Sequence, residues 1–115
     1  MKIIKTGYEI LIEGLVQGVG FRPFIYNLAT QYALKGVVGN RGDGVFIILQ
    51  EDEDVVYSFR DDIIKKAPKV AKIKSIKIKK IPVGIYKNFQ IVKSDLDRNI
   101  ETEISPDIAV CKDLI

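Results

Sequence analysis

Between residues 7 and 13 apolar and polar side chains alternate, with Tyr8, Ile10 and Ile12 on one face and Glu9 and Glu13 on the other. A period of two is that of a half-buried strand, because successive side chains on a pleated backbone point to opposite sides. A glycine-rich stretch follows, and Pro23 then opens a pattern in which Phe24, Leu28 and Tyr32, flanked by Ile25 and Ala29, recur at helical spacing. Gly36 ends that helix in this reading, since glycine takes the left-handed cap without steric cost. Residues 37–40 form a short β segment, Arg41-Gly42-Asp43-Gly44 has turn chemistry, and residues 45–50 are strongly β-prone, so the pair reads as a hairpin.

A second helix follows, with Glu51, Asp52, Glu53 and Asp54 at its start, Lys65 and Lys66 at its end, and an apolar stripe of Val55, Val56, Phe59 and Ile63. Acidic groups near the N-terminus and basic groups near the C-terminus match the helix dipole. Residues 70–81 alternate lysine with isoleucine, but Ile73 is out of phase with Ile76 and Ile78, which predicts either a bulge or a strand beginning near Ser75. Pro82-Val83-Gly84 breaks that strand, and residues 88–93, with Phe89 and Ile91 on one face, read as the last one. The order is read as βαββαβ, an α+β ferredoxin-like sandwich of four antiparallel strands with two helices on one face. Residues 1–94 make up this domain; in residues 95–115 the apolar period is lost, and an extended C-terminal tail is expected.

Composition narrows the chemistry. The chain of 115 residues is 47% apolar, enough for one core but not for a second independent domain. Its 29% charged fraction and lack of an apolar run of ~20 residues predict no membrane span. The start, Met1-Lys2-Ile3-Ile4-Lys5, is too short and too lysine-broken for a signal peptide, so a cytoplasmic location is expected. Cys111 is the single cysteine and there is no histidine, which leaves metal sites almost without ligands and removes Ser-His and Cys-His nucleophile pairs. No metal and no cofactor are expected. The net charge of +3 suits an anionic ligand and falls short of what nucleic acid binding calls for.

The stretch Gly14-Leu15-Val16-Gln17-Gly18-Val19-Gly20-Phe21-Arg22 leaves a strand and runs into a helix N-terminus. Successive amides in such a loop can line one concavity, where the helix dipole adds positive potential, so a phosphate is the natural occupant. Gly18 and Gly20 let the backbone curl, and Arg22 adds a charged fork. No Gly-Lys-Ser/Thr follows, so the spacing is not that of the nucleotide P-loop, and the acidic residue of the dinucleotide fingerprint is missing.

Together with the helix to Gly36 and Val38-Gly39-Asn40-Arg41-Gly42-Asp43-Gly44-Val45, this stretch resembles the signature of acylphosphatases, over about residues 5–93. The resemblance implies phosphate binding by the backbone of Gln17, Gly18, Val19, Gly20, Phe21 and Arg22, a catalytic role for the Arg22 side chain, and positioning of the attacking water by Asn40. It also implies a small-molecule acyl phosphate as substrate, hydrolysed by water. Neutral Asn40 is no effective general base, so a phosphate oxygen of the substrate would take the water proton. Phe21-Arg22-Pro23-Phe24 and Lys66-Ala67-Pro68-Lys69-Val70-Ala71-Lys72-Ile73 are similar to the N-terminal domain of the hydrogenase maturation carbamoyltransferases, the HypF family. The tail Ile104-Ser105-Pro106-Asp107-Ile108-Ala109-Val110-Cys111 resembles the linker into that family's zinc-finger region. This branch implies carbamoyl phosphate as substrate and hydrogenase maturation proteins as partners.

The second cysteine of the zinc-finger Cys-x-x-Cys would fall at position 114, where Leu114 stands. A piece of a longer carbamoyltransferase and a free-standing relative both remain open, and so does a domain that binds carbamoyl phosphate without turning it over. An RNA-binding sheet shares the βαββαβ order, and residues 72–80 are lysine-rich. That module needs aromatic residues on its central strands, where this sequence has valine, isoleucine and leucine. The lysines read as an outward face that discourages edge pairing.

Overall fold

The computed structural model describes residues 7–82, 84 and 86–94. The tail read at 95–115 lies outside the described residues. In chain order the elements are β1 (Gly7–Leu15), α1 (Phe21–Gln31), β2 (Gly36–Arg41), β3 (Gly44–Gln50), α2 (Glu53–Lys66), β4 (Lys72–Ile81) and β5 (Phe89–Ser94). The strands form one sheet in the order β4-β1-β3-β2-β5.

The expected four-stranded antiparallel sheet is therefore corrected to a five-stranded mixed one. β1 pairs antiparallel with both β3 and β4, β2 pairs antiparallel with β3, and β5 lies parallel to β2. The two lysine- and phenylalanine-bearing segments after α2 are separate strands on opposite edges. Pro82 has no N–H to continue a ladder, so β4 stops and the chain passes to the far edge before pairing again. The β2–β5 pairing opens where Gly36 N–H donates to Asn88 O at 3.0 Å.

The phase slip in the lysine–isoleucine segment is a bulge. Glu13 faces Ser75 while Gly14 faces Ile73, so Lys74 is the extra residue on β4. One inserted residue brings Ile73, Ile76 and Ile78 onto the same side, and all three pack against the main core. That core lies between the sheet and the two helices. Tyr8, Ile10 and Ile12 of β1 and Val45, Ile47 and Leu49 of β3 meet Phe21, Ile25, Leu28 and Ala29 of α1 and Val56, Phe59 and Ile63 of α2.

α1 ends sooner than the apolar spacing predicts. Tyr32 is its C-cap, and Ala33, at φ 58°, takes the left-handed turn expected of Gly36, which instead opens β2. The Tyr32 hydroxyl donates to Asp62 of α2 at 2.6 Å. That hydrogen bond foremost, then burial and the charges of Asp62 and Asp61, push the hydroxyl up to about 12.

The helix-free face holds a second, smaller cluster of Val37, Phe46, Ile48 and Val92. Beside it Glu9, only 6% exposed, meets Arg41 at 2.5 Å and Lys79 at 3.5 Å. The Arg41 guanidinium also lies 4.9 Å over the Phe46 ring. This ion pair reaches from β1 across β3 to β2. No helix among the described residues is long and apolar enough to cross a membrane.

Burial raises the Glu9 carboxyl, but the hydrogen bond and charge of Arg41, aided by Lys79, outweigh it and hold the group below its ordinary value of 4.5. A depressed folded-state value means that the stabilisation is fully present above 4.5 and is lost as pH falls through the lower folded value. Glu9→Gln is expected to cost about 1.5–3 kcal/mol near neutral pH, the range for hydrogen bonds to charged groups. The gap between the two proteins should narrow on the acid side, as read by urea denaturation at about pH 7 and about pH 3.

Candidate functional site

β1 runs directly into the glycine loop, and the loop runs directly into α1. Its path is set by which side chains the core accepts. Val16 and Phe21 are each only 1% exposed, and Val19 packs against the same cluster, whereas Gly18 and Gly20 face solvent. Gly18 and Gly20 have φ values of 75° and 78°, a left-handed conformation that side chains with a Cβ rarely adopt. Gly20 is also the N-cap of α1, and its carbonyl accepts the first helical bond, from Phe24 N–H at 3.2 Å. The amides of the first helical turn have no carbonyl four residues back within the helix, and Pro23 has no N–H at all. Phe21 therefore contributes backbone to the loop while its ring is core, 5.5 Å from Phe24.

Arg22 sits in the first turn of α1 and is half-buried. Its Nη1 donates to the Val92 carbonyl of β5 at 3.4 Å, a long and weak bond that nonetheless sets the direction of the guanidinium. Val92 follows Ile91, the register partner of Val38, and precedes Ser94, the partner of Asn40. Arg22 thus reaches the stretch of β5 that flanks Asn40. Asn40 lies on β2 opposite Val45, and its Oδ1 is buried with no hydrogen-bond partner among the described residues. An unpaired buried amide oxygen costs about 1–3 kcal/mol, which a hydrogen-bond donor arriving there would recover.

The Gln17 side chain turns toward the β2–β3 connection. Its Nε2 donates to Gly42 O at 2.8 Å and to Gly44 O at 2.7 Å. One end of the loop is tied to the turn that follows Asn40, and the other, through Arg22, to the strand beside it. Neither acceptor side has a sequence signal, because both are backbone carbonyls. Gly39 is a residue that sequence reasoning missed, although a glycine inside a strand is itself a sign of close approach. A Cβ there would lie 2.7 Å from Val92 Cγ2, 2.9 Å from Phe46 Cε1 and 3.0 Å from Val92 O.

The Acylphosphatase family profile matches residues 8–91. The chain belongs to the acylphosphatase family. An acylphosphatase of Ligilactobacillus salivarius is 39% identical over 87 residues, which cover 73% of this chain and 94% of that protein. A probable carbamoyltransferase HypF of Methanocaldococcus jannaschii is 34% identical over 114 residues, 97% of this chain and 15% of that protein. A crystal structure of full-length HypF in its phosphate- and nucleotide-bound form superposes with a TM-score of 0.74 at 37% identity, covering 81% of this chain and 12% of that one. This acylphosphatase domain thus spans about 15% of the length of the HypF relative and nearly all of a stand-alone acylphosphatase.

The packing around Gly39 makes a direct expectation. Gly39→Ala should destabilise the domain by about 1–3 kcal/mol through overpacking, because Phe46 and the β5 backbone crowd the new methyl from two sides. Thermal unfolding of the variant beside the wild type measures it.

Proposed function

We propose that this acylphosphatase domain hydrolyses acyl phosphates to a carboxylate and inorganic phosphate, with water as the nucleophile. The observation that carries the reading is the Oδ1 of Asn40, buried and without a hydrogen-bond partner among the described residues, on the strand that leads into the turn to which the glycine loop is tied. The stand-alone acylphosphatase relative, covered over 94% of its length, supports hydrolase activity.

In this mechanism the backbone of residues 17–22 and the Arg22 guanidinium hold the phosphoryl group. A water molecule donates one hydrogen bond to Asn40 Oδ1 and turns a lone pair toward phosphorus. As its oxygen bonds to phosphorus, the bond from phosphorus to the acyl oxygen breaks and the carboxylate leaves with the electron pair. The water proton passes to a phosphate oxygen. With no histidine in the chain, the rate enhancement rests on position and fixed charge. No cofactor takes part.

Carbamoyl phosphate is the acyl phosphate we assign first, in a cytoplasmic setting with hydrogenase maturation proteins as partners. The match of the HypF relative over 97% of this chain supports it. The same match supports a second reading, in which the domain binds carbamoyl phosphate for a carbamoyltransferase and does not turn it over.

Hydrolysis of benzoyl phosphate and carbamoyl phosphate by the purified chain separates the two, since the second reading expects no turnover. Inorganic phosphate at about millimolar concentration should inhibit competitively and raise the melting temperature. Arg22→Ala should weaken phosphate inhibition and lower kcat/KM together, because the guanidinium holds the anion in ground state and transition state alike. Asn40→Ala should lower kcat on the order of 10²-fold while phosphate still binds. Near-normal turnover by Asn40→Ala would return that residue to a structural part in the hairpin.

A further inference from the structure

We infer that Gln17 is a positioning residue, whose side chain sets the distance between the phosphate loop and Asn40. This rests on the part given to Asn40 above. The amide nitrogen of glutamine carries two hydrogens, and both are used on one target, at 2.8 Å to Gly42 O and 2.7 Å to Gly44 O. Those carbonyls bracket Asp43 at the tip of the β2–β3 hairpin. Arg41 and Gly44 are the last register pair before that tip, and Asn40 and Val45 are the pair before them. The side chain therefore grips the hairpin one pair away from Asn40.

The loop has few other means of sensing where that strand lies. Val16, Val19 and Phe21 fix it to the core, on the helix side. Gly18 and Gly20, which have open space around them, fix nothing laterally. Arg22 touches β5 through a single bond of 3.4 Å. Among the described residues the two short bonds of Gln17 are thus the firmest polar link between loop and hairpin. Loss of the link leaves an anion cradle and an asparagine, but no longer at a fixed separation.

A methionine at this position keeps the length of the side chain and removes both donors. Gln17→Met is expected to lower kcat about 10-fold or more while the inhibition constant for inorganic phosphate changes less than about 3-fold. The deciding measurement is a double-mutant cycle on kcat with benzoyl phosphate, using Gln17→Met, Asn40→Ala and the pair. If Gln17 acts through Asn40, its substitution should change kcat less than about 2-fold once Asn40 is alanine. Full additivity, or a loss of phosphate affinity as large as the loss of kcat, would overturn the inference and make Gln17 part of the anion cradle or of the general scaffold.

Asn40→Ala alone reports on the underlying mechanism. If it leaves kcat unchanged, that mechanism and the role of Gln17 fall together; if it lowers kcat and the cycle is additive, only the role of Gln17 falls. Should Gln17→Met fail to fold, Gln17→Glu read across pH gives the same decision. A protonated carboxyl keeps one donor for the two carbonyls and a carboxylate keeps none, so its kcat relative to wild type should rise as pH falls. A ratio that does not change with pH would count against the inference.

Discussion

Burial of Val16 and Phe21 at the two ends of a solvent-facing curl is what the rest of the site depends on. Each side chain is fully inside the core, and each fixes a backbone segment that would otherwise be free to swing. Between them the chain must reverse, and it does so with positive φ at Gly18 and Gly20. The curl is thus held by packing at its ends and released from side-chain sterics in its middle. A loop fixed only by hydrogen bonds to solvent-exposed partners would lose its shape cheaply. The ends of this one cannot move without opening the core between β1 and α1.

The sheet carries a different balance on each face. Toward the helices it is apolar apart from Asn40, while on the other face Glu9, Arg41 and Lys79 sit beside Phe46 and its neighbours. A buried carboxylate is costly unless it is paired. Here the pairing partner stands on a different strand, two positions away in the sheet order, so the compensation also ties β1 to β2. Arg41 directly follows Asn40, so the ion pair and the site share one strand.

Element types and faces could be read along the chain because a period of two or of 3.6 is written in neighbouring residues. Tyr8, Ile10 and Ile12 reached the core side as alternation predicts, and the displaced phase of Ile73 became a bulge at Lys74. What alternation does not encode is which strand lies alongside. β5 looked like a closing antiparallel strand and is a parallel edge, because its partner is decided by where the chain emerges after Pro82 and not by its own pattern. The glycine loop stood out because glycines ahead of a helix are a local feature, whereas Asn40 was marked only by the resemblance of its segment to the acylphosphatase signature. The anchors of Gln17 and Arg22 were hidden, since a carbonyl is common to every residue and only the fold says which one is near.

The parallel placement of β5 bears on the site more than its edge position suggests. Without β5 the Arg22 guanidinium would have no carbonyl beside it, and the outer side of β2 at Asn40 would be an open edge. β5 approaches this closely because Gly39 presents no Cβ to Val92. A strand residue with no side chain is normally a weakness in packing. At this position it lets the β5 backbone meet the Arg22 guanidinium, while the neighbouring Asn40 keeps a buried amide oxygen with no hydrogen-bond partner among the described residues. In the mechanism proposed above, which relies on placement and has no histidine to draw on, such close approach would do the work that acid–base chemistry does elsewhere.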